Sequence, residues 1–83
     1  MALYFLSYDL RKTKDYKTLS DEIVKFGAVK ILESLWCFKR INTTAEKLRD
    51  HFSLFIDKDD GLVVAEVTDW ATIRTLGNPN HLP

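Results

Sequence analysis

Asp9 is followed by Arg11, Lys12, Lys14 and Lys17, one acid and then four cations interrupted only by Asp15. A carboxylate beside such a run has two elementary uses. It can bind a hard divalent cation, since Mg²⁺ takes one or two carboxylates and completes its shell with water and phosphate oxygens. It can instead pair with a neighbouring cation or close a turn, leaving the basic run as a solvated loop and helix start. Both uses stay open on residue types alone. The first points to a phosphate-bearing ligand, because clustered Lys and Arg attract phosphates even when the whole chain is neutral.

The element that must position Asp9 is the apolar run before it. ALYFLSY has the aromatic, β-prone composition of a strand over residues 2–8. The period of two places Leu3, Phe5, Ser7 and Asp9 on one face and Tyr4, Leu6 and Tyr8 on the other. Asp9 thus ends a strand that is apolar on both faces, and the cations follow in the next connection.

The rest of the chain reads as a short series of elements. DYKTLSDEIVKFG predicts a helix with Asp15 as N-cap, an apolar stripe of Tyr16, Leu19, Ile23 and Phe26, and Gly27 as its left-handed stop. AVKILESLWCFKR is too long for one ordinary strand. It reads as a hairpin of Val29–Leu32 and Leu35–Lys39 joined at Glu33-Ser34, with a bent continuous strand as the alternative. In NTTAEKLRDHFSLFI, Thr43 and Glu46 fit a capping box for a second helix, with Ala45, Leu48, Phe52 and Phe55 as its stripe. DKDDG reads as a turn in which Gly61 supplies positive φ, and LVVAEV as a fourth strand. Thr68 is placed to cap a helical turn carrying Trp70 and Ile73, and GNPNHLP is turn-rich. The organisation is one domain over residues 1–76 with a loosely held tail over 77–83.

The chain has 83 residues, 46% of them hydrophobic, which argues against disorder. Twelve Lys and Arg balance twelve Asp and Glu, but unevenly. Residues 1–40 carry eight cations against five acids, and residues 41–83 carry four against seven. Cys37 stands alone in an apolar run, so no disulfide forms within the chain and a reducing, cytoplasmic setting is expected. No stretch has the length and apolarity of a membrane span, so no membrane partner is expected. His51 reads as a helix-surface or boundary residue.

The order β-α-β-β-α-β predicts an α+β, ferredoxin-like sandwich with one antiparallel sheet. Two helices cover one face of such a sheet. The other face is apolar too, and the simplest cover is a second copy of the chain, giving a homodimer through the open sheet face. If the first strand lies near the two-fold axis, the two copies of Asp9 approach. Two facing carboxylates must then be protonated or bridged by a cation, for which Mg²⁺ is suited.

Three short motifs carry a resemblance: Tyr8-Asp9 at the end of the first strand, Phe26-Gly27 at the end of the first helix, and Ser34-Leu35-Trp36. In these the chain resembles the small CRISPR-associated adaptation proteins (the Cas-two family) and the virulence-associated protein D family of toxin-like ribonucleases. Proteins labelled SinR-like share this look. The Ser-Leu-aromatic form and the later VTDW are closer to the virulence-associated group. The resemblance implies a ferredoxin-like homodimer that hydrolyses phosphodiester bonds with a metal ion. It assigns Asp9 as the catalytic and metal-linked residue, with Arg11, Lys12 and Lys14 facing DNA or RNA and Tyr8, Ser34 and Trp36 supporting; Lys17 joins the nucleic-acid-binding set as the end of the same basic run. Two features depart from the family pattern. Leu32 stands where the family often has Gln, and the stretch with Trp70 replaces a further strand that pairs with the partner subunit.

Three functions therefore compete: a Mg²⁺-dependent endonuclease, a nucleic-acid-binding dimer without cleavage, and a protein-interaction module such as a toxin held by an antitoxin. In the last, Trp70 and the tail would make the contacts.

Overall fold

The computed structural model describes residues 1–11 and 16–83. The elements are β1 (Ala2–Asp9), α1 (Tyr16–Val24), β2 (Val29–Leu32), β3 (Leu35–Arg40), α2 (Ala45–Ser53) and β4 (Gly61–Val67), followed by a 3₁₀ turn, Pro79–His81. The strands form one antiparallel sheet in the order β2-β3-β1-β4. The molecule is a small α+β domain with two helices, and its Cα extents of 32 × 31 × 19 Å match a sheet carrying a single helical layer.

The alternation in β1 decides which face the helices cover. Tyr4, Leu6 and Tyr8 are buried and pack with Trp36 and Phe38 of β3 against Leu19 and Ile23 of α1 and Leu48 and Phe52 of α2. Tyr4 and Phe38 stack at 5.9 Å, and Phe26 meets Phe38 and Phe52 at 5.2 and 4.8 Å. Each fully buried side chain of this size contributes ~1.5–3 kcal/mol, so the aromatic cluster and the leucines and isoleucine packed with it together carry the core. Register confirms the other face: Phe5 lies opposite Cys37 on one side and Ala65 on the other, and Leu3 lies opposite Val67.

Local chemistry sets the element ends. Gly27, at φ 70°, ends α1 in the left-handed region, with its N–H donating to Val24 O at 3.0 Å. The hairpin turn falls at Glu33-Ser34 between β2 and β3. The cap of α2 is Thr44 rather than Thr43: Thr44 is extended and its hydroxyl accepts from Lys47 N at 3.2 Å. Thr43 is one residue too early, and its carbonyl accepts from the Tyr4 hydroxyl instead. Because the third helical residue is then Lys47, Glu46 serves the helix dipole and no reciprocal box forms. The Asp15 cap lies outside the described residues.

Gly61 opens β4 without a positive φ; Gly27 is the only described glycine in that region. The turn before Gly61 is closed by Asp60, whose Oδ2 accepts from Asp57 N at 2.9 Å. The helical turn expected at Thr68 is absent from residues 68–76, and helical geometry comes later, at Pro79–His81. There Asn78 accepts from Asn80 N at 2.9 Å, and the ring of His81 accepts from Asn78 N at 3.2 Å.

The C-terminal segment lies along β2. Ile31, at a register irregularity in β2, gives its carbonyl to Leu76 N at 2.8 Å. Gly77 and Pro79 are buried. A Cβ on Gly77 would stand 2.8 Å from Val29 Cγ1 and 2.9 Å from Lys30 O, so this crossing requires glycine. Val29 pairs with Cys37, which is fully buried, and burial pushes the Cys37 thiol pKa up. That environment suits a small core side chain and not a thiolate nucleophile. Gly77→Ala should cost about 1–3 kcal/mol, the scale of overpacking a tight contact. Urea unfolding of the two proteins would read this as a lower midpoint with an unchanged slope.

One polar pair ties the helices together. His51 Nε2 of α2 lies 2.6 Å from Glu22 Oε2 of α1, with the imidazole set among Phe26, Phe52 and Phe55. Lys25 is the other charged neighbour of Glu22, at 3.5 Å. The hydrogen bond from His51 lowers the Glu22 pKa, against the opposing effect of desolvation. A carboxyl lowered on folding contributes stability that is complete above its unfolded value and drains away as pH falls through its folded value. Glu22→Gln should therefore flatten the acid side of a stability–pH curve. Thermal melts at stepped pH measure this directly.

Candidate nucleic-acid interface

The candidate site is built at the C-terminal end of β1, where alternation separates two groups of side chains. Asp9 belongs to the open face and Tyr8 to the helix-covered one. The residues singled out by sequence thus flank the strand end and do not converge on one point.

On the Asp9 side, the carboxylate Oδ2 accepts from Arg11 Nε at 3.0 Å. Arg11 is held twice more: its backbone N–H donates to Asp60 Oδ1 at 2.7 Å and its guanidinium Nη1 to Asp59 O at 3.2 Å. Gly61, the β4 partner of Asp9, leaves the space this requires, since a Cβ there would lie 2.9 Å from Arg11 Nη2. The side chains of Asp9 and Arg11 are 68% and 60% exposed, so the pair is worth ~0–1 kcal/mol and its geometry can be exchanged at little cost. Among the described residues, the other Asp9 oxygen, Oδ1, has no partner.

The donor set bears on Mg²⁺. No group of three or more His, Cys, Asp or Glu is gathered for a metal among the described residues. One chain offers the Asp9 Oδ1, which fits the single-carboxylate, water-rich manner in which Mg²⁺ binds. Asp9 is thus the residue that would hold the ion, and Arg11 is the cation that would have to share it.

The basic residues fare differently. Lys12 and Lys14 lie outside the described residues. Lys17 is on α1, where its Nζ meets Asp21 Oδ2 at 2.9 Å, one helical turn on.

On the Tyr8 side, Tyr8 and Ser34 come together, and Trp36 belongs to the same core cluster as Tyr8. Tyr8 N donates to Ser34 O at 3.3 Å and its hydroxyl to Glu33 O at 3.4 Å, which fastens the β2–β3 turn to the end of β1. Trp36 is 8% exposed and lies beneath Lys30, whose Nζ is 5.5 Å from the ring centroid. Among the described residues, the Trp36 indole Nε1 has no hydrogen-bond partner. Tyr8, Tyr16, Ser20, Lys30, Glu33 and Ser34 line a groove of about 520 Å³ between α1 and the hairpin. Sequence reasoning did not find this groove. Its signal was Lys30 and Glu33, two opposite charges three residues apart across the end of a hairpin strand, which the structure pairs at 3.6 Å.

No protein-family model matches this chain, and no solved structure matches it either.

Proposed function

We propose that the chain is a small nucleic-acid-acting protein that works as a homodimer, a metal-dependent endonuclease with Asp9 at its centre. The observation that carries this reading is the end of β1: an exposed carboxylate with one oxygen open, and an arginine fastened beside it by three contacts. The sheet order β2-β3-β1-β4 supports a ferredoxin-like fold, and the motifs at Tyr8-Asp9, Phe26-Gly27 and Ser34-Leu35-Trp36 support the Cas-two-like and virulence-associated protein D-like assignment.

The dimer is formed through the open sheet face. Leu3, Phe5 and Leu35 are only partly buried there, and Val63 is 63% exposed. Burying this face against its own copy would remove apolar surface from water at ~25 cal/mol per Å². Asp9 is on the same face, so a two-fold axis near β1 brings the two carboxylates together.

In this arrangement Asp9 from each copy would hold Mg²⁺. The ion, when bound, polarises the scissile phosphate and lowers the pKa of an attacking water. Arg11, released from Asp9 Oδ2 but kept close by Asp60 through its backbone, would offset charge on the phosphate oxygens as it develops. Lys12, Lys14 and Lys17 would contact the flanking backbone of DNA or RNA and fix its register without reading its bases.

A second reading is favoured by one observation: Asp9 already has a cation, Arg11. In that case the acid is structural, and the chain is a non-catalytic nucleic-acid-binding dimer or an assembly partner, such as a toxin met by an antitoxin.

Cleavage of single- and double-stranded DNA and RNA should require Mg²⁺ and fall by about a hundredfold or more in Asp9→Asn, the scale of losing one electrostatic partner of a transition state. Light scattering on the same sample should still give the dimer. Cleavage unaffected by Asp9→Asn defeats the catalytic assignment, and a single-subunit mass at working concentration defeats the shared cation site. Under the non-catalytic reading, binding needs no divalent ion, and each phosphate-contacting cation removed lowers the slope of log K against log salt by about 1.

A further inference from the structure

The groove on the Tyr8 side holds groups that phosphate chemistry does not use. Its volume of about 520 Å³ lies within the range of small-ligand sites. Tyr16 is 46% exposed as a residue, and its ring lies 5.8 Å from the ring of Tyr8, tilted 50° to it. Tyr8 is held from behind by its bonds to Ser34 O and Glu33 O. The groove therefore has one fixed aromatic wall and one accessible aromatic face.

The polar groups of the groove have the wrong balance for an anion. Lys30 Nζ is 3.6 Å from the Glu33 carboxylate, so the local charge cancels. What remains is a donor beside a pair of acceptor oxygens, with the Lys30 ammonium also placed over the Trp36 ring. Ser20 and Ser34 add hydroxyls to the lining. A flat, neutral ring with donors and an acceptor along one edge complements such walls.

We propose that this groove takes one unstacked nucleobase of a single-stranded nucleic acid, and that guanine is preferred. The base stacks on Tyr16, as single-stranded bases do on exposed aromatic side chains. The guanine edge carries two adjacent donors, N1–H and the N2 amino group, for the two oxygens of Glu33, and O6 beside them for Lys30. Adenine and cytosine offer one amino group on that edge, and uracil one N–H. The subsite rests on the reading that the chain acts on nucleic acid, but it uses none of Asp9 or the basic residues after it.

The test is a titration of the ¹⁵N-labelled full chain with guanosine 5′-monophosphate, followed by NMR. The adenosine, cytidine and uridine monophosphates and inorganic phosphate are the comparison probes. Guanosine monophosphate should shift the amides of Ser20, Lys30 and Ser34 and the indole N–H of Trp36, and inorganic phosphate should leave them in place. Tyr16→Ala should weaken guanosine monophosphate about tenfold, the scale of one lost stacking contact. Glu33→Gln, at a side chain 90% exposed and therefore safe for folding, should abolish the preference for guanine. The proposal is overturned if no nucleotide shifts the groove signals, if inorganic phosphate shifts them equally, or if all four nucleotides bind alike. An oligonucleotide retained by a chain whose groove stays silent defeats the base subsite alone. Groove shifts with guanosine monophosphate, in a chain that neither binds nor cuts oligonucleotides, defeat the nucleic-acid reading and overturn the proposal as a subsite for single strands, leaving a site for the free nucleotide.

Discussion

The structure depends on β1 being hydrogen-bonded along both edges while its side chains alternate between two environments. It pairs with β3 from Ala2 to Ser7 and with β4 from Leu3 to Asp9. With both neighbours in register, Tyr4, Leu6 and Tyr8 enter the helix-covered core, and Leu3, Phe5, Ser7 and Asp9 are turned the other way. A slip of one residue would exchange the two sets and put a carboxylate under the helices. The position of Asp9 is thus set by the packing of Tyr4 and Leu6 as much as by anything near the acid itself. The same constraint explains why Gly61 stands opposite Asp9: the guanidinium that pairs with the acid occupies the space a side chain there would need.

The open face is only partly open. Residues 76–79 run beside β2, and this end of the sheet, with Ile31 and Cys37, is dry. That contact also occupies the outer edge of β2, which would otherwise present unpaired backbone groups. The middle and far side of the face are different, since Phe5 is partly accessible and Val63 largely so. The chain therefore supplies its own cover at one end and leaves an apolar surface around β1 and β4. Any partner on that surface meets Asp9 at its margin.

Much of the architecture was legible because it follows from periodicity. The two-residue alternation of ALYFLSY, the stripe of Leu19 and Ile23, the stop at Gly27 and the turn at Glu33-Ser34 are local signals, and the structure follows each. What could not be read were choices between neighbours of the same chemistry. Thr43 and Thr44 can both cap a helix, and the winner is decided by which carbonyl Tyr4 needs. Gly61 reads as a turn glycine, yet its role is to leave room for a side chain fifty positions away in sequence. The fastening of Arg11 by Asp59 and Asp60 is likewise a contact between distant segments with no periodic trace. The groove escaped for the same reason: Tyr16, Ser20, Lys30 and Glu33 belong to different elements and become neighbours only when α1 crosses the hairpin.

The electrostatics of the clamp bear on the proposed chemistry. The Arg11 guanidinium faces the Asp9 carboxylate, while Asp60 accepts from the backbone N–H groups of Arg11 and Asp57. The Arg11–Asp9 pair is neutral as a whole, so on its own it offers a phosphate no net attraction. Under the proposed function, a divalent cation held by Asp9 would supply the positive charge, and Arg11 would be free to face the phosphate. On that proposal the clamp would be a resting state in which the arginine stands in for the ion. Affinity for phosphate at Asp9 would then rise with the divalent ion, whereas contacts made by lysines alone would be indifferent to it. The groove on the opposite side of β1, where Lys30 and Glu33 pair at 3.6 Å, would lack this dependence, so under the two proposals the sides would divide the work as phosphate and base contacts usually do, one holding the backbone and the other reading its sequence.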